Sequence, residues 1–167
     1  MRTLIRNAIV GMLLITLTGT VVAQQERTFS RPTDEQIEAA ANNPELLAEL
    51  LEGATPEQAA EVVVRVIVQI NSLNISAEAK EARINNTVQA ALAATPSTNQ
   101  TAFAQALGRA VAADPVLSIS PLVTNTVSTS LSTVGGLPTT LGETFGSTLI
   151  KTIADQRTGT GYAGQEI

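Results

Sequence analysis

The sequence predicts an all-α protein, either a compact bundle or a short α-solenoid, with about five main helices, two short N-terminal ones and flexible ends. Three observations carry this. Helix-start signals recur from Thr33 to Glu143, apolar residues return every three or four positions between them, and stop signals close the segments.

Residues 1–23 stand apart. Arg2 and Arg6 precede an apolar run from Ala8 to Leu17, interrupted only by Gly11 and Thr16. Thr18-Gly19-Thr20 follows, then Val21-Val22-Ala23, whose Val21 and Ala23 suit the pocket preferences of a signal peptidase. The expectation is a cleavable signal peptide and a mature chain starting at Gln24. A retained anchor is the competing reading, but a spanning helix needs about 20 apolar residues and this run is shorter. No cysteine follows the run, which excludes lipidation there. Cleavage leaves 144 of 167 residues, and ten basic against fifteen acidic side chains become eight against fifteen, a net charge of −7.

Residues 24–32 are expected to be a flexible lead-in, 33–156 a helical domain, and 157–167 a flexible tail. Within the domain, Thr33-Asp34-Glu35-Gln36 is a capping-box pattern. So are Thr55-Pro56-Glu57-Gln58, Ser97-Thr98-Asn99-Gln100 and Thr140-Leu141-Gly142-Glu143. In each, a hydroxyl accepts from a free amide and the Gln or Glu reaches back to the cap. Asn43-Pro44 and Ser120-Pro121 place proline at the first helical position, and Ser76 caps the remaining segment. Gly53, Pro96, Asp114-Pro115 and Gly135-Gly136 supply the stops.

The resulting helices are Asp34–Asn42, Pro44–Leu51, Pro56–Ser72, Ala77–Ala94, Thr98–Ala113, Pro121–Val134 and Thr140–Gln156. Their apolar stripes include Ile84, Val88, Ala91 and Leu92, then Phe103, Leu107, Ala110 and Val111. Two more are Val123, Val127, Leu131 and Val134, and Leu141, Phe145, Leu149 and Ile153. The run Val62–Ile70 is rich in β-branched residues and also fits a buried strand. The cap before it favours a helix apolar nearly all round, suited to the centre of a bundle. From Ser118 onward the chain is rich in Thr, Ser and Gly, so its helices depend on packing more than on propensity.

Thr55, Ser76, Ser97, Ser118 and Thr139 recur every 21 residues. A fixed period marks repeat architecture, although similar helices joined by short loops produce the same spacing.

The chain has no histidine and no cysteine. This excludes Ser-His and Cys-His nucleophiles, histidine or thiolate metal sites, iron–sulfur clusters and disulfides. Lys80 and Lys151 are the only lysines and neither closes an S-x-x-K motif; no phosphate-binding glycine loop occurs. Carboxylates remain. Glu45, Glu49 and Glu52 form a stripe on a predicted helix, with smaller pairs at Glu57/Glu61 and Glu78/Glu81. Such groups serve glycoside hydrolysis or calcium binding, but they also make an ordinary solvated face. Gly142 and Gly146 lie four apart and allow close helix approach, inside the domain or between copies. Three Asn-x-Ser/Thr triplets start at Asn74, Asn85 and Asn99.

No metal, cofactor or catalytic set is expected. The acidic balance opposes nucleic-acid binding, and the longest mature apolar run, Val62–Ile70, carries Arg65 and Gln69. No integral membrane segment is therefore expected after cleavage. The expected function is that of an exported, periplasmic or extracellular, non-enzymatic module acting structurally or through protein contact or self-association. Its candidate interface residues are Glu45, Glu49, Glu52, Gly142 and Gly146. The alternatives are a small carboxylate-dependent hydrolase and a peripheral envelope-associated amphipathic protein.

Overall fold

The computed structural model describes residues 29–134 and 137–159; the expected signal segment, and residues 24–28 and 160–167, lie outside them. The all-α expectation holds. Helix α1 is Asp34–Asn42. A 3-10 turn, Pro44–Leu46, runs into the single turn of α2, Leu47–Leu50. Then come α3 (Pro56–Ser72) and α4 (Ala77–Ala94). A second 3-10 turn, Ser97–Asn99, leads into α5 (Gln100–Ala113), followed by α6 (Pro121–Ser132) and α7 (Leu141–Gly159).

The central question at Val62–Ile70 is answered in favour of helix. Thr33 and Thr55 both close complete capping boxes, with Gln36 and Gln58 as the returning side chains. Ser76 and Ser120 cap α4 and α6 through their hydroxyls. On α3, Val63, Val66, Ile67 and Ile70 are wholly buried. Complete burial of one such side chain contributes about 1.5–3 kcal/mol, which outweighs the small helix penalty of β-branching.

The helices pack in two layers. α1, α3, α5 and α7 form one, each packing on the next; α2, α4 and α6 form the other. α3 against α4 and α6 against α7 tie the layers together. Neighbours within a layer are thus next-but-one in sequence, the arrangement of a short α-solenoid.

Long side chains from one element satisfy the open carbonyl ends of another. Arg83 of α4 donates to Ala41 O (3.2 Å) at the end of α1. Lys80 Nζ reaches Asn71 O (2.6 Å) near the end of α3. Gln89 Nε2 bridges Ser130 O (2.6 Å) and Thr133 O (2.7 Å) at the end of α6. Gln100 Nε2 donates to Leu92 O (3.2 Å) in the last turn of α4.

That last bond explains one departure from expectation. Ser97-Thr98-Asn99-Gln100 does not form a capping box: the residue before the turn is Pro96, with no side-chain cap, and Gln100 turns back to α4 instead. A second departure follows α6, which ends at Ser132. Thr133–Val134 pair antiparallel with Leu137–Pro138, in register Thr133 to Pro138 and Val134 to Leu137. β-branched residues beside a glycine pair favour such a hairpin over a last helical turn. Third, Pro44–Leu51 is a 3-10 turn plus one α turn rather than one helix.

From Phe29 onward the lead-in lies against α3. Phe29 packs on the core, Arg31 pairs with Glu61, and Arg65 donates to Pro32 O (3.0 Å) and Asp34 Oδ1 (2.6 Å). At the other end, α7 runs to Gly159, three residues beyond the predicted boundary.

Two glycines set interhelix distances. A Cβ on Gly108 of α5 would lie 2.8 Å from Phe145 O and 3.1 Å from Thr148 Cβ of α7. A Cβ on Gly142 would collide with Ser132 Oγ and lie 2.5 Å from Ser128 O of α6. A Cβ on Gly146 would meet nothing within 4 Å among the described residues. Gly108→Ala and Gly142→Ala should each destabilise by about 1–3 kcal/mol, because backbone must move. Gly146→Ala should stabilise by about 0.5–1 kcal/mol, the helix preference for alanine. Urea melts followed by circular dichroism rank the three; equal effects would contradict this packing. Thr87 is fully buried and its hydroxyl has no hydrogen-bond partner among the described residues. Thr87→Val should therefore raise stability by about 1 kcal/mol in the same melts, since a desolvated hydroxyl is removed without losing a bond.

Candidate interaction surface

The glutamate stripe does not survive as a stripe. Glu45 sits in the 3-10 turn, Glu49 on α2, and Glu52 in the turn that Gly53 closes at a φ of 73°. All three are exposed. The tighter 3-10 turn and the early end of α2 break the spacing of 3.6 residues that would align them. Glu52 instead lines a cleft of about 320 Å³ between the α2–α3 and α4–α5 connections, beside Thr55, Thr95 and Asn99.

The two glycines part company as well. Gly142 is buried and faces α6, so its closeness serves the fold. Gly146 is half-buried with open space above it. One turn further, Ile150 is 71% exposed. Sequence reasoning missed Ile150, although it falls outside the apolar stripe of Leu141, Phe145, Leu149 and Ile153. An isoleucine off the buried stripe was the available signal. Gly108 was missed too; a lone glycine within an alanine-rich helix is the mark of a close crossing.

Among the described residues, the other exposed large apolar side chains are Val116 (58%) and Ile119 (78%), on either side of the buried Leu117 in the α5–α6 connection, and Val68 (39%) on α3.

A larger cleft, about 540 Å³, runs between α4 and α6. Glu78, Glu81 and Asn85 line it from α4, and Asn125, Thr126, Thr129 and Ser130 from α6. Ser130 Oγ lies 2.7 Å from both Asn85 Oδ1 and Thr126 O. Among the described residues, no cluster of three or more Asp or Glu side chains is placed to hold a metal. None of the described helices is long and apolar enough to cross a membrane.

The three Asn-x-Ser/Thr triplets separate by structure. Asn74 is exposed in the α3–α4 connection. Asn85 is bonded to Ser130, with Thr87 of its triplet buried, and Asn99 ends a 3-10 turn.

Two exposed groups have shifted titration. Glu78 is held below its ordinary value, first by a hydrogen bond to its own backbone and then by the Ser76 hydroxyl. Lys151 is held above its ordinary value by the hydrogen bond and charge of Asp155, 2.8 Å away and one turn on. Neither direction poises a group for proton transfer near neutrality.

Comparison with protein-family models, curated sequences and solved structures returns no match for this chain.

The Glu78 shift predicts a pH dependence. A depressed carboxyl contributes stability that is present above its unfolded value of 4.5 and is lost as pH falls through the lower folded value. Glu78→Gln should thus be less stable than the parent at pH 7 and converge with it in acid below that window. Thermal melts from pH 7 downward check this, and a gap that persisted in acid would place the effect elsewhere.

Proposed function

We propose that the protein is an exported, non-enzymatic helical module that acts through protein–protein contact, in the periplasm or outside the cell. The observation that carries the contact reading is the outer face of α7, where Ile150 is 71% exposed at the edge of the odd-numbered layer. Interior helices of a solenoid are covered on both sides by their neighbours and a capping end helix is polar outside, so a large apolar side chain exposed on the end helix is the feature of a contact surface. The export reading rests on Arg2, Arg6, the apolar run and Val21-Val22-Ala23.

The α4–α6 cleft favours one second reading, a carboxylate-dependent hydrolase using Glu78 and Glu81. Such chemistry needs one carboxyl kept protonated near neutral pH. Glu78 shifts the opposite way, so the contact reading is preferred.

Expression of the full chain in a secreting host tests export. Intact mass of the exported fraction should show a start at Gln24, with or without loss of ammonia from that terminal glutamine. A product that retained Met1 and stayed in the cytosol would remove export from the proposal.

A further inference from the structure

On the layer containing α1, α3, α5 and α7, α3 lies between α1 and α5, and α5 lies between α3 and α7. α7 is the last described helix of that layer, and its side away from α5 and α6 faces solvent. Glu143, Ile150, Ala154 and Arg157 are exposed there, and Gly146 borders them with open space above it. Their spacing reads the same in both directions about Ile150. Gly146 and Ala154 lie four residues to either side, and Glu143 and Arg157 lie seven to either side.

We infer that this face pairs with a second copy of itself, α7 antiparallel to α7 about a two-fold axis at Ile150. The inference rests on the protein-contact reading above and names its partner. In that register Ile150 meets Ile150, Gly146 meets Ala154 of the other copy, and Glu143 meets Arg157. Each match is of like size or opposite charge. The small pair lets the helix axes approach and lets the isoleucines touch. The charges at the ends select antiparallel over parallel, because a parallel pairing would set Glu143 against Glu143 and Arg157 against Arg157. The contact is isologous, so it closes at two copies and does not propagate into a filament. Four turns of helix make a small interface, and the dimer is accordingly weak and concentration-dependent. The exposed Val116–Ile119 tip has no such self-complementary pattern.

The absence of cysteine makes the register directly readable. Ile150→Cys in the otherwise unchanged full chain should crosslink under mild oxidation to a species of twice the chain mass, because disulfides join Cα atoms about 4.4–6.8 Å apart. It should do so much faster than Glu35→Cys, an exposed control on α1. Glu143→Cys and Arg157→Cys should each crosslink poorly alone and readily when mixed. Fourteen residues of helix separate the two positions by about 21 Å, so like positions are far apart in this register. Light scattering on the parent chain should show mass rising with concentration, and Ile150→Asp, with an unchanged circular dichroism spectrum, should remove the rise. A parent that stays monomeric to about 1 mM overturns the inference. So does a Glu143→Cys homodimer that outpaces the mixed pair. A photo-crosslinker at position 150 in the producing cell separates the two levels of the argument. An adduct of twice the chain mass supports self-pairing; an adduct of any other mass overturns it and leaves the contact reading standing. No adduct at all removes both.

Discussion

Helix α3 has to be covered along a broad apolar flank, and the rest of the fold is arranged around that requirement. Val62, Val63, Val66, Ile67 and Ile70 make one broad buried flank, while Glu57, Glu61, Val68 and Ser72 keep a narrow exposed strip along its length. A helix of this kind is unstable alone; its stability comes from burial. α1 covers it on one side, α5 on the other, and α4 across the layer boundary. Arg65 is the one charge on its later turns, and it leaves the helix to hold Pro32 and Asp34, so its charge is partnered where the lead-in crosses. The two-layer order follows because a chain of short loops can surround one helix only by returning to it with alternate elements.

The C-terminal half meets a different constraint. Thr, Ser and Gly supply little intrinsic helix preference there, so α6 and α7 depend on contact distance. Gly108 and Gly142 permit that contact, since each lies where a Cβ would meet backbone. Hydroxyls turn inward to carbonyls of their own helices, as with Ser130 to Thr126 O and Thr148 to Thr144 O, both within 2.8 Å. Those groups are satisfied without water and can be packed. Gln89 then fastens α4 to the end of α6.

Most of this fold was legible in the sequence because caps and apolar periods are local. Thr33, Thr55, Ser76 and Ser120 act where their neighbours say they should. What stayed hidden depends on choices between local and distant partners. Gln100 fits a capping box by spacing, yet its side chain donates instead to the Leu92 carbonyl in the last turn of α4. Thr133 and Val134 continue a helical stripe on paper, yet they pair with Leu137 and Pro138, as their β-branching and the glycine pair next in sequence favour. The glutamate stripe assumed one continuous helix, and the 3-10 turn removed it. The Gly142/Gly146 pair was readable as a small-residue face but not as two environments, because the sequence does not say which side of α7 the serines of α6 occupy.

The 21-residue recurrence takes on physical meaning in the two layers. One step of the period carries the chain from one layer to the other, and two steps return it to the same layer one helix further along. Thr55 and Ser76 are caps, while Ser97 opens a 3-10 turn and Ser118 and Thr139 lie three and two residues before a helix, so the period follows element length more closely than residue role. Successive helices of one layer share the same problem: each must present one apolar flank to its predecessor and another to its successor. α5 meets it with Phe103 and Leu107 on its core-facing side and with Gly108 against α7. α7 meets half of it with Phe145 and Leu149, and on its other flank carries Ile150 between two small residues and two opposite charges. A fully capped edge would be polar throughout. An edge that keeps one isoleucine at the centre of a charge-balanced stripe has the features of a surface that is covered some of the time.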